Sequence, residues 1–404
     1  MKKQFALLAL AVCLSLSGCV EKDVTEYSDT VSTEPQVLED MPACNAQNKY
    51  LLVNALSFQE TEDYFCGSNF YGNHLYYYDK ISGISGLLCA DPACTHDSSA
   101  CGAYVQSGST MFLYNGQRYW ITNDFQTDGA NYYLWRGDLA GTNQEKVKEI
   151  SFEDVILPCQ PQQYAIHRGN LYFLGAAQVV EGTAEGRRIT LMSSPLDSTK
   201  EFTALFDQTY DKWANAQMRF VGNDVFFAVY VFPSGGPYDL TILKIDSKTG
   251  VTETVYEETG NTEGYRDFWV TEQEEIYLSS GPSLWKIAEG KRVEVATFEK
   301  PDAFPNVMDG IAVGTYLKDG NRWMEIKDFS GETIYNGIFL PTAIPELEGD
   351  PNAPQPYHYA IVGGDTDKLI LTVFETGQQG IHSYMLMLDL HDNLKPTVLW
   401  SSQE

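Results

Sequence analysis

Beyond its first residues the chain has no apolar run of the roughly 18 residues that a membrane-spanning helix needs, so no such helix is expected. Basic residues are also few: 27 Lys and Arg stand against 55 Asp and Glu, a net charge of −28. A surface of that sign repels nucleic acid and anionic lipid headgroups, so neither is an expected partner. The acids are scattered and form no long block, which fits a solvated surface better than a dedicated cation or basic-partner site. Histidine is scarce and dispersed (His74, His96, His167, His358, His382 and His391). The G-x-S-x-G, H-E-x-x-H, P-loop, G-x-G-x-x-G and EF-hand patterns are missing, which removes the local signatures of several hydrolase, nucleotide-binding and calcium-binding classes. Asp124-Phe-Gln-Thr-Asp128-Gly129 only faintly suggests a calcium loop, lacking the alternate oxygens and the closing glutamate.

What is present starts at residue 1. Met1-Lys2-Lys3 is a basic start, Phe5 to Leu14 an apolar core of about ten residues, and Leu16-Ser17-Gly18-Cys19 follows. That order makes a secretory signal, and the tetrapeptide is similar to the lipobox of bacterial lipoproteins. The resemblance implies that residues 1–18 are removed, that Cys19 carries lipid, and that the rest works outside the cytoplasm, at the outer face of the cell membrane. Two or three acyl chains anchor stably where one does not. Residues 19–48 hold the lipidated cysteine and a polar, acidic stretch that reads as a flexible tether. Residues 49–404 are left for the folded part, which is large for one ordinary core.

Tyr (25), Phe (20) and Trp (7) make the chain rich in aromatics, and they lie in short alternating or wholly apolar runs bounded by Gly, Asn, Asp and Ser. This is the pattern of many short strands. The runs recur as units. MRFVGNDVFFAVYV, DLTILKIDSKTG and VTETVYE form one; RDFWVTEQEEIYLSS, PSLWKIAEG and KRVEVATF form another. Turns between first and second strands are expected near Gly116, Gly169, Gly222, Glu274, Gly310 and Gly364, and turns after third strands near Asp138, Asp246 and Asp389. Seven copies can be counted, with LLVNALSF, DYFCGSN, NHLYYYD and SGLLC as a looser first one; six result if that front copy is loop. The expected fold is an all-β β-propeller of seven four-stranded blades, with two β-sandwiches as the main rival.

The repeats resemble those of TolB-like and quinoprotein-like propellers. The segment LLCADPACTHDSSACGAY also resembles one in propeller lipoproteins of anaerobic gut Firmicutes. That resemblance implies location and fold, and no activity.

Six cysteines remain once Cys13 leaves with the signal and Cys19 takes lipid: Cys44, Cys66, Cys89, Cys94, Cys101 and Cys159. An even number in an exported chain allows disulfides. Cys89, Cys94, His96 and Cys101 form C-x4-C-x-H-x4-C, and three thiols with one imidazole suit a tetrahedral zinc. The spacing departs from common zinc patterns, so bridges of Cys94 with Cys101, and of Cys89 with Cys66 or Cys44, are the preferred expectation. Zinc and unpaired thiols are the alternatives, and no other cofactor is implied.

Residues 176–188, 232–239 and 341–357 read as long inserts, the kind that carries recognition. Tyr238, Tyr357 and Tyr359 are candidates for stacking on a sugar, against the plainer reading that they pack within the rim. Asp124, Asp128, Asp239, Asp267 and Asp365 read as solvated loop acids. The functional expectation is a membrane-anchored module that binds a glycan or a partner protein. The alternatives are a polysaccharide-acting hydrolase or lyase at the propeller funnel, and a role centred on the Cys89–Cys101 motif.

Overall fold

The computed structural model describes residues 58–68, 73–105, 111–124, 131–139, 141–150, 163–181, 184–196, 201–232, 236–300, 305–339, 357–377 and 380–403. The signal, Cys19, the tether, Cys44, Cys159 and Asp128 lie outside the described residues.

The described residues contain strands and no helix. They form seven antiparallel sheets of four consecutive strands each. Blade 1 is β1 (Phe58–Glu60), β2 (Tyr64–Ser68), β3 (Leu75–Asp79) and β4 (Ser85–Leu87). Blade 2 is β5 (Met111–Tyr114), β6 (Gln117–Asp124), β7 (Asn131–Asp138) and β8 (Glu145–Ile150). Blade 3 is β9 (Gln163–His167), β10 (Asn170–Glu181), β11 (Ala184–Pro195) and β12 (Thr203–Tyr210). Blade 4 is β13 (Trp213–Val221), β14 (Asp224–Phe232), β15 (Tyr238–Asp246) and β16 (Thr252–Asn261). Blade 5 is β17 (Tyr265–Val270), β18 (Ile276–Ser280), β19 (Ser283–Ala288) and β20 (Lys291–Thr297). Blade 6 is β21 (Asn306–Met308), β22 (Ile311–Lys318), β23 (Asn321–Asp328) and β24 (Thr333–Ile338). Blade 7 is β25 (Tyr357–Gly364), β26 (Lys368–Gly377), β27 (Gly380–Asp389) and β28 (Lys395–Gln403). The first strands of successive blades lie side by side. The architecture is the seven-bladed β-propeller, and the front copy is a blade.

The apolar runs are continuous because both faces of each blade are covered. On β14, Val225, Phe227 and Val229 pack in the cluster shared with blade 3, while Phe226 and Ala228 pack in the cluster shared with blade 5. On β5, Met111 and Leu113 turn to blade 1 and Phe112 to blade 3. This is the period of two that a strand imposes, used twice. Each fully buried Phe or Leu contributes about 1.5–3 kcal/mol of transfer free energy.

Among the described residues, no strand from one chain end joins the sheet of the other. Blades 7 and 1 are joined by packing instead. Phe58 and Phe65 meet Val362, Ile370, Met385, Leu399 and Trp400, and the Trp400 ring lies 6.1 Å from Phe58 and 6.2 Å from Tyr76. Glu60 adds charge to this seam: it pairs with Lys80 at 2.7 Å and with Lys368 of blade 7 at 3.3 Å.

The turns repeat too. Asn115, Arg168 and Glu274 take left-handed φ values of 50°, 46° and 62° between first and second strands. In blade 7 that turn falls at Asp365–Asp367, with Gly364 still in β25, because Asp365 Oδ1 accepts the Asp367 and Lys368 N–H groups. After third strands, the carboxylates of Asp79, Asp138, Asp246, Asp328 and Asp389 each accept one or more following backbone N–H groups. Residues 176–181 and 184–188 are strand, where a loop was expected. β10 and β11 run on as a hairpin, pairing Ala176 with Ile189 and Val179 with Gly186.

Candidate metal centre and binding face

The chain leaves β4 at Leu87 and crosses to blade 2 through residues 88–105. Leu88 is buried, and its N–H donates to the Leu75 carbonyl at 2.8 Å, which docks the crossing in the seam. Asp91 then makes a tight turn: its carboxylate accepts the Ala93 N–H and its carbonyl the Cys94 N–H. His96 takes a left-handed conformation, φ 59°, which bends the chain back between two ligand-type residues only two apart. Cys101 sits in a second turn, closed by Cys101 N–H to the Ser98 carbonyl at 3.1 Å. The result brings the sulfurs of Cys89, Cys94 and Cys101 and a ring nitrogen of His96 within 4.8 Å of one another. His96 Nδ1 lies 3.2 Å from Cys101 Sγ, and the Ala103 N–H donates to that sulfur at 3.3 Å. Ligands of a tetrahedral zinc stand roughly 3.5–3.8 Å apart, given Zn–S and Zn–N lengths of about 2.3 and 2.1 Å. The group can hold a metal ion.

Burial pushes the Cys89 thiol up, but N–H groups of Asp91 and Gly102 and the neighbouring thiols outweigh it and hold Cys89 below the usual thiol range. Burial, with Cys94 and Cys89 beside it, pushes Cys101 up to about 11 against the Ala103 N–H. Crowded thiols release one proton readily and resist releasing the next.

Among the described residues Cys66, Cys89, Cys94 and Cys101 are free thiols, and Cys44, the other bridging partner expected for Cys89, lies outside them. Three of the sulfurs gather round a common point with an imidazole, and Cys66 stands apart on β2 in the apolar seam with Leu75, Leu88, Val105, Met111 and Leu113. Burial there raises its thiol to about 12.

Two residues of blade 2 clamp the crossing. Arg118 on β6 is fully buried, and its Nη1 donates to the Gly102 carbonyl at 2.9 Å while the guanidinium lies 4.7 Å over the Trp120 ring. Its Nε and Nη2 have no hydrogen-bond partner among the described residues. Burial pulls its pKa down to about 10, with Asp138 and Cys101 acting in the opposite direction. Gly141, φ 82°, presses on the same Gly102 carbonyl: a Cβ would lie 2.1 Å from that oxygen, so only glycine fits.

The aromatic candidates separate. Tyr238 opens β15 with its ring 5.7 Å from Phe232, and Phe232 stands 6.5 Å from Trp213, its cross-strand partner on β13. Trp213 is 42 % exposed, with the Arg187 guanidinium 4.1 Å over its ring. Trp213, Phe232 and Tyr238 thus make a row across one end of blade 4. Tyr359 instead packs in the seam of blades 6 and 7 against Phe339, at 5.2 Å edge to face. Tyr357 opens β25, and its side chain lies outside what is described.

Other polar groups meet across blades. Asp267, expected as a loop acid, lies on β17 and is buried. Its Oδ1 pairs with Arg219 Nη2 of blade 4 at 2.9 Å, and its Oδ2 accepts the Val307 N–H of blade 6 at 3.2 Å. Arg219 is fully buried and also donates to the Phe268 and Met218 carbonyls. Of the other expected loop acids, Asp239 is the second residue of β15 and accepts the Gly260 N–H, and Asp365 sits in a turn and pairs with Lys368 at 2.6 Å. Asp124 closes β6. Arg322 reaches the exposed His358 ring, with Nη2 3.1 Å from Nδ1, and lies over the Tyr359 ring. Among the histidines, His167 is buried with Nε2 2.7 Å from the Gly222 carbonyl, and His391 pairs with Asp367. Arg118, Arg187, Trp213 and Arg219 carry no sequence motif; each is recognisable only through a neighbour on another strand or blade.

No family model and no curated protein matches the sequence. Solved structures do. A prolyl endopeptidase matches with a TM-score of 0.52 at 12% identity over 89% of this chain. The chain spans about half the length of that enzyme, 51%. The polysaccharide lyase Uly1 matches with a TM-score of 0.50 at 11% identity, covering 89% of this chain and 94% of the lyase. A PL25 ulvanlyase bound to -[GlcA(1-4)Rha3S]- matches with a TM-score of 0.51 at 10% identity, covering 85% and 95%. At these identities the likeness is one of fold.

Proposed function

We propose that this protein is an exported propeller held at the outer face of the cytoplasmic membrane by lipid on Cys19, where it binds a glycan or partner protein rather than catalysing a reaction. The kinship to propeller lipoproteins of the gut Firmicutes type, read from the sequence, belongs to the same proposal. The observation that carries the binding role is the row Trp213, Phe232 and Tyr238, with Arg187 stacked on its exposed ring. Broad, partly wetted rings offer a sugar's apolar face a platform at low entropic cost. The net charge of −28 repels polyanions, so the ligand is a neutral glycan. The test is titration of the detergent-solubilised full chain with neutral cello-, xylo- and manno-oligosaccharides, followed by tryptophan fluorescence. Binding that falls at least tenfold in Trp213→Ala is the expected result; binding unchanged by that substitution, or turnover of the sugar, contradicts the reading. Radiolabelled palmitate should label the wild type in cells and miss Cys19→Ser.

One observation favours a second reading, a polysaccharide lyase or hydrolase: Arg322 and the exposed His358 lie together beside Tyr359. In a lyase an imidazole takes the proton next to a uronate carboxylate while a guanidinium holds that carboxylate. Ultraviolet absorbance of an unsaturated product from polyuronates, lost in His358→Ala, would establish it.

For the Cys/His group we infer zinc. Three thiolates and an imidazole are the soft, tetrahedral donor set zinc takes in structural sites, and four protein ligands leave no position open for a reacting water.

A further inference from the structure

Three thiolates and a neutral imidazole around a divalent ion leave one net negative charge. That charge would stand at a half-buried site: Cys101 is buried, while Cys89, Cys94 and His96 are partly exposed. Arg118 is the buried cation next to it. It is fully buried on β6, bonds the carbonyl of Gly102 one residue past the last ligand, and has two N–H-bearing nitrogens without partners among the described residues. A buried guanidinium with unused donors needs an anion nearby, and Asp138 and Cys101 are the acidic groups that act on it.

The crossing also ties two blades together. Its ligands come from the segment between β4 and β5, and its turns bind both flanking blades: Ala103 and Leu88 bond Leu75 of blade 1, Asn73 bonds Val105, and Arg118 and Gly141 of blade 2 hold Gly102. Blade 1 has first and last strands of only three residues each. So small a sheet is marginal by itself.

Resting on the zinc reading above, we propose that the metal knuckle is a lock that fastens the short first blade to the second, and that Arg118 is its positioning residue, supplying the counter-charge to the metal–thiolate centre. With the ion bound, the crossing is rigid and blade 1 keeps its place. Without it, no bond ties Cys89, Cys94, His96 and Cys101 together and the crossing opens.

The test uses the full chain purified in detergent under reducing conditions. One zinc per chain by elemental analysis is expected, and Co(II) exchanged into the site gives the visible bands of tetrahedral thiolate ligation. Arg118→Met should weaken Co(II) or Zn(II) binding about 10–100-fold in a competition titration with a coloured chelator, as loss of a supporting group around a metal does. Arg118→Lys should recover part of that loss. Cys66→Ala, outside the group, should leave affinity and spectrum unchanged, and Cys94→Ser should change the Co(II) spectrum. Limited proteolysis should cut within 89–104 only after the metal is removed. A chain with no metal, or with paired cysteines by peptide mapping, overturns the zinc reading and the lock with it. Zinc bound with equal affinity in Arg118→Met overturns the role of Arg118, and protease resistance unchanged by metal removal overturns the lock while the zinc reading stands.

Discussion

Blades 1 and 4 are the same four-stranded unit built by opposite means. Blade 4 has strands of 9, 9, 9 and 10 residues, and its second strand is almost wholly apolar, feeding both seams. Blade 1 has strands of 3, 5, 5 and 3 residues. Its sheet is small, so it leans on what flanks it: the Phe58–Trp400 contact and the Glu60–Lys368 pair on one side, the Cys/His crossing on the other. A ring tolerates a weak unit where its neighbours brace it, since each blade buries the next one's apolar face.

That contrast can be broken in order of effect. In the strong half, Asp267→Ala leaves Arg219 buried with one carboxylate fewer, and about 3–5 kcal/mol of stability should go, read from urea unfolding. The double change Arg219→Met with Asp267→Leu should return most of it, since burying an apolar pair of similar volume is often neutral. In the weak half, Phe58→Ala opens the seam of blades 7 and 1 and should cost about 3 kcal/mol, with blade 1 loosening before the rest. Lys368→Met removes the cation that Asp365 and Glu60 share; those sites are partly wet, so about 0.5–1 kcal/mol is expected, less at high salt.

Acid should act on both halves alike. The Asp79 carboxyl in blade 1 is held below the ordinary 3.8 by the Ser82 N–H, and that of Asp246 in blade 4 by the Thr249 N–H. A carboxyl with a depressed folded pKa stabilises the fold above its unfolded value and loses that contribution as pH falls through the folded one. The urea midpoint should therefore drop below pH 3.8, and the drop should be smaller in Asp79→Asn or Asp246→Asn. The smallest stability effect is at Trp213, where Ala should shift the midpoint by under about 0.5 kcal/mol and act on binding instead.

The repeat was legible because a propeller writes it into the sequence seven times. Even the loose front copy showed as NHLYYYD and SGLLC, now β3 and β4. The Asp at 138, 246 and 389 was readable as a turn former because its partners lie two to four residues on. The Cys/His group was readable as a motif, yet its state was not: spacing alone does not distinguish bridging sulfurs from sulfurs that face one ion, and the folded chain adds that all four donors gather within 4.8 Å. Asp267 looked like a loop acid since its partner Arg219 is 48 residues away on another blade. The Trp213–Phe232–Tyr238 row is hidden for the same reason, its members meeting only through pairing across β13, β14 and β15.

The most direct measurement is hydrogen exchange by mass spectrometry on the full chain, zinc-loaded and after chelation, comparing peptides of blade 1 with those of blade 4. The account predicts that chelation speeds exchange in 58–105 and leaves 213–261 unchanged. Equal loss of protection in both blades, or no loss in either, would contradict it.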